Sequence, residues 1–403
     1  MTKLSVVIPA YNEENGIAEI MNRTLAVREA LWAAGVEEFE LLVVNDGSRD
    51  RTREIAEEIA AGTTDVRVIT QVNRGYGGAL KTGFSQATGE LIGFLDADST
   101  YPPEYFPQLC TAAMKGADLV IGSRMAGEES KMPLVRRIGN WLFATLLSIL
   151  GWQRVTDSAS GMRVFKRSSL ERMYPLPNGL NLTPVQSTRA IHEGLKVVEV
   201  PITYSERVGR SKLSALRDGT IFLQSMVWTA MAYNPVRILG GIGLVGVVIA
   251  TIIGFGLVIA RLTGVTELGA WGVAALFFGM VSGVGGISVF AFGATFNYLV
   301  SLFYDQPIRQ GVFGKPVFKQ PLERSFGWVG LVLLLLGTMI AIISLIFGIA
   351  QGDVPRMWLY LLGSALFALT GTQMLIYWVL MHVLAELSQR QEQVQQDLDA
   401  PEI

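Results

Sequence analysis

Hydrophobic positions fall in two regimes along this chain. In residues 1–230 short apolar runs alternate with charged, amphipathic stretches, and from Val236 onward long uncharged stretches dominate. The runs Leu4–Pro9, Phe39–Asn45, Val66–Thr70, Leu91–Leu95 and Asp118–Gly122 read as buried strands. Glu14–Ala34, Arg51–Ala61 and Ala79–Ala87 read as helices between them. Continuous apolar strands separated by helices predict a Rossmann-like α/β domain whose mostly parallel sheet is covered on both faces. Ligands of such sheets sit beyond the carboxyl ends of the strands.

In the second regime four stretches stand out: Ile238–Ala260, Leu268–Phe303, Phe326–Gly352 and Met357–Met381, none containing a charged residue. Each reaches the roughly 20 apolar residues that cross a ~30 Å hydrocarbon core. They predict an all-α membrane domain over residues 234–386, with helices at about 236–260, 270–303, 326–351 and 357–383. The second stretch is longer than a crossing needs, so part of it tilts or follows the interface. The loop between the second and third stretches holds Arg309, Lys315, Lys319 and Arg324, whereas the outer loops hold only Arg261 and Arg356. By the positive-inside rule the middle loop is cytoplasmic, and so are the N-terminal domain (1–233) and the polar tail (387–403), which reads as a frayed helix. Gly279 and Gly283 form a small-xxx-small pair suited to helix packing.

Two further segments, about 134–150 and 211–231, are amphipathic and basic at their starts. Leu134, Ile138, Trp141, Leu142, Leu146 and Ile149 recur at helical spacing with Arg136 and Arg137 near the start, and Leu213–Met231 repeats the pattern with Arg217. Such helices lie in a membrane interface and draw anionic headgroups, or else pack on the sheet as ordinary core helices.

Composition narrows the partners. Of 403 residues 50% are hydrophobic and 17% charged, and the net charge is −2. With no dense basic patch either, a nucleic-acid partner is excluded. Cys110 is the single cysteine, so no intrachain disulfide forms, and it reads as a small buried hydrophobe. Lys3 followed by the short apolar run Leu4–Ile8 reads as a first strand and not as a signal peptide.

The polar residues collect at the strand ends: Tyr11-Asn12-Glu13, Asp46-Gly47-Ser48, Asp96-Ala97-Asp98 and Ser123-Arg124. Residues two apart on an extended segment point the same way, so Asp96 and Asp98 can converge on a hard cation, Mg²⁺ or Mn²⁺, shared with a diphosphate. A solvated turn is the competing reading. Gly75-Tyr76-Gly77-Gly78 begins like a dinucleotide fingerprint, but Leu80 takes the third glycine position. That run reads as a backbone turn close to a ligand. His192, in the helical stretch Pro184–Gly194, reads as an ordinary polar position. Gln186-Ser187-Thr188-Arg189-Ala190 approaches the Q-x-x-R-W of processive synthases but lacks the tryptophan.

The motifs Val7-Ile8-Pro9-Ala10-Tyr11-Asn12-Glu13, Val43-Val44-Asn45-Asp46-Gly47-Ser48 and Asp96-Ala97-Asp98 resemble those of family 2 glycosyltransferases with a GT-A fold. Gly122-Ser123-Arg124, Asp157-Ser158-Ala159-Ser160-Gly161-Met162-Arg163 and Arg207-Val208-Gly209-Arg210-Ser211-Lys212-Leu213 are similar to the dolichol-phosphate mannose synthase and polyprenyl-phosphate glycosyltransferase branch. The resemblance covers about residues 4–235. It implies a metal-dependent, inverting transfer from a UDP- or GDP-sugar to a polyprenyl phosphate, dolichyl or undecaprenyl, on the cytoplasmic face.

Roles follow from the resemblance. Pro9, Ala10, Tyr11, Glu13, Val44 and Ala97 line the nucleotide-sugar pocket, and Asp46 accepts the imide N–H of uracil or guanine. Asp96 and Asp98 hold the metal. Arg124, Arg207 and Lys212 bind phosphates of donor or acceptor, and Arg136, Arg137 and Ser211 join them on the acceptor phosphate. Asp157 is the candidate base or orienting carboxylate, or else it pins its own loop. Two positions depart from the mannose-synthase pattern. Thr100 stands where a glutamine follows the metal carboxylates, and the Arg207–Lys212 segment is one residue shorter than in eukaryotes and archaea. A homo-oligomer stays open. So do transfer to another lipid or a growing polysaccharide, and a non-enzymatic transporter carrying a nucleotide-sugar sensor.

Overall fold

The computed structural model describes residues 2–126, 132–151, 153–204, 215–265, 267–304, 322–351 and 357–399. Among the residues singled out above, Arg207, Ser211, Lys212, Arg309, Lys315, Lys319 and Arg356 lie outside them. The chain divides into two compact units, Met1–Ala230 and Met231–Ile403.

The first unit begins β1 (Lys3–Ala10), α1 (Ile17–Ala26), α2 (Arg28–Ala33), β2 (Glu38–Asn45), α3 (Thr52–Ala61), β3 (Val66–Thr70) and α4 (Tyr76–Gln86). It continues β4 (Leu91–Phe94), α5 (Phe106–Met114), β5 (Leu119–Ser123), α6 (Leu134–Gly151), β6 (Arg163–Lys166), α7 (Leu170–Met173), α8 (Leu182–His192), β7 (Val197–Pro201) and α9 (Ala215–Tyr233). One sheet runs in the order β3-β2-β1-β4-β6-β5-β7. Its pairings are parallel except those of β6, which is antiparallel to β4 and β5. The mostly parallel α/β domain expected from the apolar runs is therefore present.

Alternation along the strands sends side chains to two cores. Val6, Ile8, Leu41 and Val43 pack on one face with Ile17, Ile20 and Leu109. Val7, Leu42 and Val44 pack on the other with Leu80, Phe84 and Leu147. Chain order reverses beside β1: β2 and β3 lie on one side and β4 on the other. At such a switch point the loops leaving adjacent strands diverge and open a crevice at their carboxyl ends.

Three sequence expectations change here. Glu14–Ala34 is not one helix, because Val27 (φ −79°, ψ 0°) separates α1 from α2. The buried positions Ile17, Ile20, Met21, Thr24, Val27 and Leu31 run at helical spacing straight through the break, so periodicity hides it. Second, α4 starts at Tyr76, so Tyr76, Gly77 and Gly78 are its first turn and not a loop before it. Third, the Asp96-Ala97-Asp98 step is not extended: β4 ends at Phe94, and Ala97 and Asp98 form a turn.

The second unit holds α10 (Pro235–Leu262), α11 (Ala270–Tyr304), α12 (Leu322–Gln351) and α13 (Met357–Asp399). All four are long and apolar enough to cross a membrane. The expectation of charge-free spans does not hold, since Arg237 and Arg261 fall inside the first span, and Glu386 inside the last. Arg237 and Arg261 sit near the ends of α10, and Glu386 near the end of the apolar part of α13, where a long side chain reaches headgroup depth. Glycines join the helices in pairs. A Cβ on Gly243 would lie 2.5 Å from the Gly286 carbonyl oxygen, and one on Gly371 would lie 2.6 Å from that of Gly330, so α10 meets α11, and α12 meets α13, backbone to backbone. A Cβ on Gly279 would stand 3.1 Å from Ile253 and one on Gly283 3.2 Å from Ala250, closer than ordinary packing contact. Ser288 on α11 donates to Gln373 Oε1 on α13 at 2.5 Å. Residues 387–399, expected as a frayed tail, continue α13 without a break.

Candidate active site

Loops leaving β1 and β2 bind each other at the carboxyl edge of the sheet. The Asn12 amide donates to Ser48 Oγ at 3.0 Å, the Arg49 amide to Asn12 Oδ1 at 2.8 Å, and the Glu13 amide to Thr52 Oγ1 at 2.8 Å. Asn12 holds φ +50° in this embrace, a left-handed conformation that asparagine tolerates better than most residues. Pro9, Ala10 and Val44 are buried strand residues, and Tyr11 and Glu13 follow at the rim of the crevice.

Asp46 directly follows β2 and is almost wholly buried. Its Oδ1 accepts Gln71 Nε2 at 2.7 Å and the Arg74 amide at 2.8 Å, and its Oδ2 accepts the Gly75 amide at 2.9 Å. A carboxylate offers about four acceptor positions, so three are taken by its own chain. The glycine run has a similar inward use. Gly77 and Gly78 both donate to the Asn178 carbonyl, at 2.8 and 3.1 Å, and a Cβ on Gly77 would stand 2.3 Å from the Pro177 oxygen. These glycines let the backbone of residues 177–179 cap α4. The close approach of Gly77 and Gly78 is thus to another backbone, while Gly75 and Tyr76 of the same run bond Asp46 and Asp96.

Asp96 and Asp98 follow β4 at the switch point. Asp96 Oδ1 accepts the Tyr76 hydroxyl at 2.8 Å, and burial together with Asp96 pushes the Tyr76 phenol well up. Gly161 presses on the other side of that carboxylate: a Cβ there would be 2.4 Å from Asp96 Oδ2. Asp98 Oδ1 accepts Thr100 Oγ1 at 2.6 Å and the Thr100 amide at 3.3 Å. Thr100 thus orients Asp98, which explains what a threonine does in a glutamine's place. Ser99 between them has φ +58°, and its buried Oγ has no hydrogen-bond partner among the described residues.

This donor set fits a hard divalent cation: two carboxylates, an unsatisfied hydroxyl, and oxygen throughout. Among the described residues no group of three or more His, Cys, Asp and Glu gathers as a metal cage. A cation held by Asp96 and Asp98 would draw further ligands from substrate and water, as Mg²⁺ characteristically does.

Arg124 and Asp157 form the most tightly built pair of the site. Asp157 Oδ2 accepts Arg124 Nε at 2.7 Å and the Arg124 amide at 3.0 Å, and Oδ1 accepts the second guanidinium nitrogen at 2.8 Å. The Asp157 side chain is 0% exposed and that of Arg124 12%. The Arg124 guanidinium lies 5.7 Å from the Tyr101 ring and 5.4 Å from the Tyr204 ring, within cation–π range. Burial alone would raise the Asp157 carboxyl, but the charge and hydrogen bonds of Arg124 outweigh it and hold the carboxyl below its ordinary range. Burial opposes the Arg124 charge as well, yet Asp157 raises that guanidinium well above its ordinary value.

Behind this pair Arg163 is fully buried, bonded to the carbonyls of Ser158 and Ser160 and to the side chains of Gln186 and Ser187. Burial pulls its guanidinium down to about 10, so it stays charged at neutral pH. Tyr101 donates no charge here, but its hydroxyl accepts the Gly161 amide at 2.7 Å and ties the 157–163 loop to the turn after Asp98.

Sequence reasoning missed Tyr76, Tyr101, Tyr204, Thr156 and Glu199. Glu199 carried a signal, a lone carboxylate inside the apolar strand Val197–Pro201. The tyrosines carried none. Arg136 and Arg137 lie on α6, His192 is buried at the end of α8, and Cys110 is buried with its thiol pushed up to about 12.

Comparison with known proteins gives a family. The profile described as Glycosyl transferase family 2 matches residues 5–174, and one described as a domain of unknown function (DUF8752) matches residues 235–395. An undecaprenyl-phosphate 4-deoxy-4-formamido-L-arabinose transferase of Klebsiella pneumoniae is 30% identical over 331 residues, 80% of this chain and 96% of the relative. A dolichyl-phosphate hexose transferase of Haloferax volcanii is 34% identical over 224 residues, 56% of this chain and 92% of the relative. The low-salt glycan biosynthesis hexosyltransferase Agl6 of the same organism is 36% identical over 234 residues, and the match spans 54% of its length. Among solved structures, glucosyl-3-phosphoglycerate synthase from Mycobacterium tuberculosis with Mn²⁺, uridine diphosphate and phosphoglyceric acid aligns with a TM-score of 0.47 at 21% identity, over 57% of this chain and 78% of that one.

Proposed function

The chain belongs to glycosyl transferase family 2, and on that premise we propose that it transfers a sugar, with inversion, from a nucleotide-sugar donor to a polyprenyl phosphate at the cytoplasmic face of a membrane. The reach of one likeness carries this reading. The match to the Klebsiella transferase covers 331 residues, more than the whole first unit, and so extends into the apolar helices. That relative is named for undecaprenyl phosphate. The exposed apolar side chains of α6 and α9, among them Leu134, Trp141, Ile149 and Trp228, add support, because an interfacial helix presents such a surface to lipid.

Asp96 and Asp98 would hold Mg²⁺ or Mn²⁺, which when bound neutralises diphosphate charge as a Lewis acid. The acceptor phosphate is ionised at neutral pH, so it attacks the anomeric carbon without first losing a proton. The new bond to phosphate oxygen forms as the bond to the nucleoside diphosphate breaks. Arg124 offers fixed positive charge to the departing diphosphate. Asp157 acts as its positioning residue and not as a base, since both its oxygens accept from Arg124 and that charge holds its carboxyl below the ordinary range, which makes it a poor proton acceptor. The fourth acceptor position of Asp46 is assigned to the imide N–H of the base. Pro9, Ala10, Tyr11, Glu13, Val44 and Ala97 line the donor pocket, and Arg136, Arg137, Arg207, Ser211 and Lys212 meet the acceptor phosphate.

Membranes containing the protein, supplied with radiolabelled UDP- and GDP-sugars, Mn²⁺ and polyprenyl phosphate, test the reading. A lipid-extractable product that releases its sugar in mild acid is expected. An acid-stable glycolipid would transfer the assignment to another lipid acceptor, and no lipid product with any common donor would refute it.

A further inference from the structure

Glu199 stands on the edge strand β7 opposite Ile121, and its carboxylate is occupied by one turn of chain. Its Oε1 accepts the amides of Thr156 and Asp157 at 2.8 and 2.9 Å. Its Oε2 accepts Thr156 Oγ1 at 2.8 Å and the Thr156 amide at 3.0 Å. A hydroxyl has one proton, and that of Thr156 is committed to Glu199. In the 2.7 Å contact between Ser123 Oγ and Thr156 Oγ1, Ser123 is therefore the donor. Ser123 Oγ in turn accepts the amides of Met125 and Ala126 at 3.3 and 3.2 Å.

Two routes thus leave one carboxylate and end on neighbouring residues of the loop that follows β5. One runs from Glu199 through the Asp157 backbone and carboxylate to the Arg124 guanidinium. The other runs through the hydroxyls of Thr156 and Ser123 to the chain just after Arg124. We infer that Glu199 is a positioning residue for sugar transfer: it fixes the Asp157 turn and the start of the loop leaving β5, and so sets the aim of Arg124. This rests on the transferase reading above. Glutamine takes over only in part: its one oxygen can serve the Thr156 and Asp157 amides, but its amide nitrogen turns donors toward the Thr156 hydroxyl that the second carboxylate oxygen accepts.

The test uses the full-length protein in lipid nanodiscs. Misplacement of a charged group by about 1 Å costs up to ~10²-fold in rate, so E199Q should lower kcat about 10- to 100-fold while donor KM changes less than about threefold. The two residues act as one unit, so in a D157N background the same change should cost less than about twofold. E199Q turnover within about twofold of the parent overturns the proposal, and so does a loss undiminished beside D157N. Should E199Q not fold, T156V leaves Glu199 and both backbone bonds but cuts the Ser123 route. It should lower kcat severalfold, and unchanged turnover overturns the proposal. Amide hydrogen exchange without substrate decides the matter apart from activity. Amides of residues 123–126 and 156–157 should exchange faster in E199Q or T156V, and unchanged protection refutes the inference even if the parent protein makes no lipid-linked product. Absence of product from the parent protein, by contrast, refutes only the transferase reading.

Discussion

The two ends of the same sheet both bury a carboxylate, and they do it differently. At the amino end Glu40 on β2 accepts Ser5 Oγ at 2.5 Å, the Thr88 amide at 2.6 Å, Thr88 Oγ1 at 2.8 Å and the Arg67 guanidinium at 3.2 Å. Ser5 Oγ accepts the Gly89 amide at 2.7 Å, and Arg167 donates to the carbonyls of Gly89 and Ala87. These bonds run between strand ends and close on themselves. At the carboxyl end Asp157 is satisfied as fully and Asp46 keeps one acceptor position open, whereas Asp98 sits in a turn just before Ser99, whose backbone is left-handed and whose buried hydroxyl has no partner among the described residues. Burial and hydrogen bonding of an acid therefore do not mark function. Left-handed backbone and an orphaned oxygen beside paired carboxylates do.

Asp98→Ala gives the sharpest test of that distinction. Loss of a metal carboxylate should lower transfer by about 10³-fold or more, with the thermal midpoint of the full-length protein within a few degrees of the parent. If Asp98→Ala transferred sugar at the parent rate, the carboxyl end would be no different in kind from the amino end. Gly161→Ala comes next. Its methyl would stand 2.4 Å from Asp96 Oδ2, so Asp96 must leave its Tyr76 bond or the 157–163 loop must retreat. A shift of that size should cost about 10- to 100-fold in kcat, and parent-level turnover would show that Asp96 has slack.

How much of this the sequence shows depends on what encodes each part. Strands β1 to β5 and the four long helices were legible because continuous apolar runs, five short and four long, mark them. Strand β6 was not, since Arg163–Lys166 opens and closes on a cation, and the buried Arg163 looks like a surface residue until Gln186 and Ser187 are seen around it. The carboxylates were legible as a spacing, but for a wrong reason. Asp96 and Asp98 were expected to converge from an extended segment, and the chain instead turns after Phe94. Gly77 and Gly78 were legible as a close approach, and only the fold says to what. The Glu199 network joins residues far apart in the chain, and no local pattern encodes it.

The amino end supplies the converse experiment. Glu40→Ala leaves the Ser5 hydroxyl and the Thr88 amide and hydroxyl without their acceptor, while the half-exposed Arg67 keeps the Gln86 carbonyl. Stranding buried donors costs about 2 kcal/mol, which for a unit of this size lowers Tm by roughly 4–8 °C. Turnover at a temperature where the protein remains folded should match the parent, because nothing in this knot reaches the switch-point crevice. A Glu40→Ala protein with normal Tm and impaired kcat would reverse the assignment of the two ends.

Acid titration separates the ends by the smallest effect. Burial would raise the Glu40 carboxyl, but the Ser5 hydroxyl and the Thr88 amide and hydroxyl outweigh it and hold the folded-state value below the ordinary one. A carboxyl lowered by folding stabilises the folded state above its unfolded pKa, and that contribution disappears as pH falls through the folded value. Stability should therefore be level from neutrality down to about pH 5 and fall below about pH 4, where the unfolded chain takes up the proton first. Asp157, lowered by Arg124, contributes on the same side. Glu40→Gln removes one of these two titrations and keeps the side chain's size, so its plot of Tm against pH should fall less steeply below about pH 4 than the parent's. The D157N plot should flatten in the same way while, unlike Glu40→Gln, losing transfer activity at pH 7. Equal acid slopes in Glu40→Gln and the parent would mean that the Glu40 bonds persist in the unfolded chain or carry no net stability, and the closed knot at the amino end would then be geometry without energy.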